Sequence, residues 1–231
     1  MKTGCGGDML KLAVLASGNG TNAEAILESV RTGKLDAEIR VILTNRPDAG
    51  VVSRAAKWNV PLEVIPSKGC GDRDVYDSRV VEALLRYGID TVALAGWMRI
   101  LSQTFLDAFP GRIVNLHPAI LPSFKGGTGI ADAYAYAVRI SGCSVHLVCP
   151  ELDGGPLIIQ AAVPVDGTLQ EFEDRVHRME HLILPQALQW LGEGRLSVDG
   201  RKVTLLPPVS GIRKIDYVDG CLISPPLEER L

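Results

Sequence analysis

Two short runs of this chain, residues 12–16 and 92–95, are apolar at every position. A strand of that kind has no polar face to give to water. It is stable only inside a sheet covered on both sides, which is the usual setting of a parallel sheet packed under helices. The segments between the runs supply the helices. Ile26, Leu27 and Val30 form one stripe in residues 22–31, and Val80, Leu84 and Leu85 do the same in residues 75–87. With strands expected over 38–43 and 62–65 and a further helix over 49–58, the first half reads as repeated β-α units. That pattern predicts a Rossmann-like α/β fold with a mostly parallel, doubly wound sheet and right-handed crossovers.

The second half changes character. A strand over 113–116 runs into HPAILPSFKGGTG, where Pro and Gly rule out regular structure. Residues 129–138 read as a helix, and 143–148 and 157–163 as strands joined by CPELDGGP. Val176, Met179, Leu182 and Ile183 keep helical spacing, with Pro185 predicting a kink. Asp199-Gly200 between two short apolar runs predicts a C-terminal hairpin over 196–205. From Pro207 on there is no periodicity. The expected organisation is therefore an extension over 1–10, a single domain over 11–206 and a weakly packed tail over 207–231.

Bulk properties narrow the function. A net charge of -3 over 231 residues gives no basic surface for nucleic acid. The five cysteines are odd in number and form no C-x-x-C pair, which points to reduced, idle thiols. No targeting or membrane segment is read at the N-terminus, so a cytoplasmic location is expected. His177 and His181 are one helical turn apart, yet no third ligand stands out, and no metal site is expected.

Three segments can carry chemistry. SGNGTN joins the first strand to the first helix, and Gly18 and Gly20 would let a ligand anion approach backbone N–H groups. The spacing also fits a loose dinucleotide pattern, but the second strand ends in Leu43-Thr44-Asn45 without the required carboxylate. A bound phosphomonoester and a tight turn using glycine for geometry alone both remain open. In NLHPAILP, Asn115 and His117 are two apart in an extended segment, so both side chains point to one side of a strand's carboxyl end. An amide donor beside an imidazole suits the oxyanion of an acyl transfer. Asp153, in the turn PELDGGP, is the third partner; a carboxylate facing the imidazole would orient the ring and stabilise its cation. His146, inside an apolar strand, reads as a buried structural residue. Three glycines within residues 126–129 suggest a lid that closes over the site.

SGNGTN, AGWMRILS, NLHPAILP and SVHLVCPELDGGP occur in the order and spacing of the folate-dependent formyltransferases. The chain resembles that family from about residue 11 to residue 206, in the branch acting on glycinamide ribonucleotide. The resemblance implies a sheet of the formyltransferase type and transfer of a formyl group from 10-formyltetrahydrofolate, as co-substrate, to the amine of 5'-phosphoribosylglycinamide in purine biosynthesis. It places Asn115, His117 and Asp153 on the catalytic positions. Gly20, Thr21 and Asn22 fall on the phosphate cradle and Glu180 on a ribose contact. Arg73, Met98, Arg99, Ile100 and Leu101, with Asn115, fall on the folate pocket. Small-molecule partners only are implied, in a monomer or homodimer, with neither nucleic acid nor membrane. The chain departs from many relatives at 125–130, where Lys125 replaces Pro and Gly127-Thr128 replaces Leu-His. A tRNA-directed formyltransferase would add a C-terminal barrel, and a formylfolate hydrolase an N-terminal regulatory domain. A catalytically idle nucleotide-binding module would have lost one of the three polar residues, and all three are present.

Overall fold

The computed structural model describes residues 9–209 and 215–228. A nine-stranded sheet runs through the molecule. Five strands form its parallel part: β1 (Leu10–Leu15), β2 (Ala37–Thr44), β3 (Leu62–Val64), β4 (Thr91–Leu94) and β5 (Ile113–His117). They lie in the order β3-β2-β1-β4-β5. β6 (Ile140–Leu147) and β7 (Leu157–Pro164) continue beyond β5 in antiparallel sense. The α/β, Rossmann-like reading is correct, and the change of character in the second half is this switch from parallel to antiparallel pairing.

The apolar runs behave as their composition requires. In β1, Leu12 and Val14 pack into one core, with helices α1 (Thr21–Arg31), α2 (Val51–Lys57) and α6 (Leu169–Gly192). Ala13 and Leu15 point the other way, into a second core built with α3 (Arg73–Arg86) and α4 (Gln103–Ala108). Side-chain alternation along a strand puts neighbours on opposite faces, so both faces of β1 are dry. Between α3 and α6 in sequence lies one more short helix, α5 (Gly129–Ala135).

α6 carries Pro185 inside a single 24-residue helix, as the spacing of Val176, Met179, Leu182 and Ile183 predicts, and starts at a capping box between Thr168 and Glu171. Two features differ from the expectation. α4, capped by Ser102, was not expected from the sequence. The largest correction concerns the tail. Strands β8 (Leu196–Asp199) and β9 (Lys202–Leu205) form the expected hairpin as a separate two-stranded sheet. Beyond them β10 (Asp216–Val218) and β11 (Cys221–Ser224) join the main sheet, β11 pairing with β7. A boundary at residue 206 would cut that sheet.

Candidate active site

β1 has β2 on one side and β4 on the other, so the chain reverses direction across the sheet there, and a crevice opens at the carboxyl ends of the strands. The two loops that leave β1 and β4 are stitched together. Ser17 N–H donates to the Gly96 carbonyl at 3.0 Å, and Met98 N–H donates to Ser17 Oγ at 3.0 Å. A cavity of about 710 Å³ lies over this edge. A side recess of about 80 Å³ is lined by Leu94, Trp97, Leu101, Cys149 and Pro150 among others.

Asn115 and His117 project from β5, and Asp153 arrives from the β6–β7 turn; all three line the main cavity. Asp153 is the hub. Its Oδ2 accepts the Gly126 N–H at 2.9 Å and lies 3.5 Å from His117 Nδ1. Its Oδ1 accepts Asn115 Nδ2 at 3.4 Å. Asp153 itself adopts φ +47°, a left-handed conformation that Asp tolerates better than most residues. His117 Nε2 faces the Phe124 carbonyl at 2.8 Å, so each nitrogen of this buried ring looks at an acceptor. The glycine loop is accordingly tied down at its start, with Phe124, Lys125 (to Glu151, 2.7 Å) and Gly126 all engaged. That is a more restrained segment than a free lid.

The other expected residues divide. Asn22, Met98, Arg99 and Ile100 line the main cavity, and Leu101 the recess. Glu180 lines it too, although nearly its whole side chain is buried; its Oε2 accepts Asn22 Nδ2 at 2.9 Å and pairs with His177 Nδ1 at 2.8 Å. The structure does not bring Arg73, Gly20 or Thr21 onto either wall. Arg73 is exposed at the start of α3. Arg99 lies over the Tyr76 ring, 4.1 Å from its centroid. Sequence reasoning missed His177 as a cavity residue and underrated His146, whose Nε2 contacts Asn115 Nδ2 at 3.0 Å. The signal for His177 was available: it stands three residues before Glu180, on the same helix face.

Gly20 and Gly18 play different parts. Gly20 has φ +74°, and a Cβ there would sit 2.7 Å from Val51 Cβ. Its lack of a side chain serves the packing of α1 on α2. Gly18 is exposed with open space around it. Gly20→Val is therefore expected to lower the melting temperature, whereas Gly18→Val is expected to leave it within about 2 °C, a change of ~1 kcal/mol or less for a chain of this size. If Gly18→Val weakens binding of a phosphorylated ligand in isothermal titration, the loop is its cradle; unaltered affinity would put the phosphate elsewhere.

Electrostatics follow from these contacts. The hydrogen bond that His177 Nδ1–H donates to the Glu180 carboxylate raises the His177 pKa above its ordinary range, and desolvation opposes it. Burial lowers His146 and His181. The stabilisation from the His177–Glu180 pair is fully present below the unfolded His value near 6.5 and is lost as pH rises through the raised folded value. Glu180→Gln should thus reduce the melting temperature more at pH 5.5 than at pH 8.5. Equal losses at both values, by calorimetry, would show that the pair contributes no proton-linked stability.

An amide, an imidazole and a carboxylate converge here with no serine or cysteine among the described residues of the main wall. Such a donor set suits acyl-group transfer, in which charge develops on a carbonyl oxygen. The comparisons agree. The formyl transferase family model matches residues 10–188, and the chain belongs to that family. It is 35% identical to the phosphoribosylglycinamide formyltransferase of Escherichia coli over 208 residues, 86% of this chain and 97% of that protein. It is 39% identical to the trifunctional purine biosynthetic protein adenosine-3 of Gallus gallus over 191 residues, which is 82% of this chain but only 19% of that longer protein. The crystal structure of glycinamide ribonucleotide transformylase 1 from Symbiobacterium toebii superposes with a TM-score of 0.83 at 39% identity, covering 85% of this chain and 94% of that one. No helix among the described residues is long and apolar enough to cross a membrane.

Proposed function

We propose that this chain transfers the formyl group of 10-formyltetrahydrofolate to the amine of 5'-phosphoribosylglycinamide, yielding formylglycinamide ribonucleotide and tetrahydrofolate. The observation that carries the reading is the meeting of Asn115, His117 and Asp153 on one wall of a cavity that also takes in Asn22 and Glu180.

The cavity suits two ligands side by side. At the end near α1, the exposed Gly18-Asn19 turn and the start of an 11-residue helix offer N–H groups to a phosphate. The Glu180 carboxylate, buried beside Asn22, has its second oxygen to offer a ribose hydroxyl. At the other end, the 97–101 segment and the recess, which mixes Leu94, Trp97 and Leu101 with polar Arg99 and Asn115, suit a flat folate ring. The amine attacks the formyl carbon between them. Negative charge then grows on the formyl oxygen, where Asn115 and His117 supply hydrogens. His117 does so by passing its Nε2–H from the Phe124 carbonyl to that oxygen, which ties the step to a shift of the 124–129 loop. Asp153, 3.5 Å from His117 Nδ1, holds the ring turned. One proton leaves the attacking amine and one joins the departing folate nitrogen. Among the described residues the carboxylates on the wall are Asp153, Glu173 and Glu180, and Asp153 is the one beside the reacting groups. No step calls for a metal, and we place the reaction in the cytoplasm.

The test is the absorbance change of the folate on deformylation, with and without glycinamide ribonucleotide. Turnover that depends on the ribonucleotide is expected. An equal rate without it would make the chain a hydrolase, and no turnover with either would sink the reading.

A further inference from the structure

His146 is buried opposite Asn115 in the β5–β6 register and touches the catalytic group from behind. Its placement is built with some care. The β6–β7 ladder shifts at this residue: Val145 pairs with Ile159 and His146 with Leu157, so β7 carries one extra residue, Ile158. Bulges of this kind re-aim side chains next to active sites. His146 Nδ1 then lies 2.9 Å from the Leu147 carbonyl. Gly155 passes directly over that carbonyl; a Cβ on it would stand 1.7 Å from the Leu147 oxygen and 3.3 Å from His146 Nδ1. Any side chain at 155 would break up this arrangement.

The hydrogen-bond inventory then decides the protons. A carbonyl only accepts, so Nδ1 carries the hydrogen. Burial keeps the ring neutral, so Nε2 is an acceptor. Its neighbour at 3.0 Å is the Asn115 amide, which must therefore present Nδ2, a donor. With the amide turned over, Asn115 Oδ1 would face both the Nε2 lone pair and Asp153 Oδ1, two repulsive contacts in a dry setting. From this chain of constraints we infer that His146 is a positioning residue, which locks the Asn115 amide with its nitrogen toward Asp153 and the reacting centre. One Nδ2 hydrogen is held by His146. The other, shared with Asp153 Oδ1 only at the long distance of 3.4 Å, is the one that passes to the formyl oxygen. The inference rests on the role proposed above for Asn115.

The experiment has two arms. The first reads tautomers by ¹⁵N NMR of the unmodified protein: His146 is expected to be protonated at Nδ1 and bare at Nε2 near neutral pH. A hydrogen on Nε2 overturns the inference whatever the enzyme's activity. The second is a kinetic cycle with the ribonucleotide and formyl folate. His146→Leu, which has no acceptor, is expected to lower kcat by about 10-fold or more, with both KM values within about 3-fold, the signature of a loss felt at the transition state. His146→Gln, which restores an acceptor oxygen, should recover most of that loss. In an Asn115→Ala background, His146→Leu should cost less than about 2-fold more, because the two residues then act as one unit. Losses that multiply independently of residue 115 would reduce His146 to a packing residue. Absence of ribonucleotide-dependent turnover in the parent would instead count against the functional reading and leave the NMR result standing.

Discussion

Asp153→Asn is expected to lower kcat at neutral pH by roughly 10²-fold or more, the scale of losing one preorganised oxyanion donor. The reason is that one carboxylate serves three groups. Oδ2 takes the Gly126 N–H and faces His117 Nδ1, while Oδ1 takes Asn115 Nδ2. An amide of the same shape presents hydrogens on one side. If its NH₂ replaces Oδ2, it meets the Gly126 N–H and leaves His117 without a charged partner. If its NH₂ replaces Oδ1, it meets the Asn115 amide nitrogen. Neither orientation satisfies the set: in one His117 Nδ1 loses its acceptor, and in the other the Asn115 amide does. Ribonucleotide binding should change least, because Asn22 and Glu180 make no hydrogen bond to Asp153, whereas the recess is lined by Asp153 itself and by its partner Asn115. The measurement is steady-state kinetics alongside isothermal titration of both substrates. A kcat within about 5-fold of the parent would remove Asp153 from the mechanism, and a collapse of both affinities would make it a structural residue of the glycine loop instead.

The parallel half of the fold was legible because its strands are apolar on both faces and its turns are marked by Gly and Asn. β1 and β4 were placed to within two residues at each end. Asn115, His117 and Asp153 were legible for a different reason: strand spacing puts the first two at the sheet's carboxyl edge, and the Gly-rich turn marks the third. What was hidden depends on partners far away in sequence. Gly20 looked like a ligand-approach glycine, and only the fold reveals Val51 behind it. Arg73 carries no local signal for or against a cavity wall. His146 reads as one polar residue in an apolar strand; its significance arises from the Asn115 register and the bulge, neither of which leaves a trace in composition. β10 and β11 are three and four residues long, too short to show periodicity. They owe their order to the open edge of β7, which a window on the sequence does not include.

That edge makes the tail the site of the second large effect. A tail without periodicity carries the expectation that deletion after Ser210 leaves the melting temperature nearly unchanged; the pairing of β11 with β7 argues against that. Removing residues 210–231 is expected to lower it by about 10 °C or more. β11 supplies Cys221 and Ile223, both buried in the larger core, and Ile223 alone is worth roughly 1.5–3 kcal/mol of apolar burial. Glu228 fastens the end to α6 and the following turn. Its carboxylate accepts Trp190 Nε1 at 3.0 Å and Arg195 at 2.7 and 2.9 Å, and its backbone N–H reaches Gln186 Oε1 at 2.9 Å. Trp190 is fully buried, so deletion strands its indole N–H at a further cost of about 1–3 kcal/mol. At roughly 2–4 °C per kcal/mol for a chain of this size, these losses account for the expected drop. Cleavage of the sheet edge also exposes the β7 ladder, which invites association between chains. Calorimetry on the truncated protein, with light scattering to detect aggregates, is the test. A shift below about 5 °C would mean that the tail rests on the core without holding it, since the burial and hydrogen bonds above would then contribute less than half of what their chemistry predicts. Glu228→Ala, which keeps β11 but releases the clamp, should fall between the parent and the truncation. A Glu228→Ala protein as unstable as the truncation would place the stabilisation in the Trp190–Arg195 contacts and deny it to the strand.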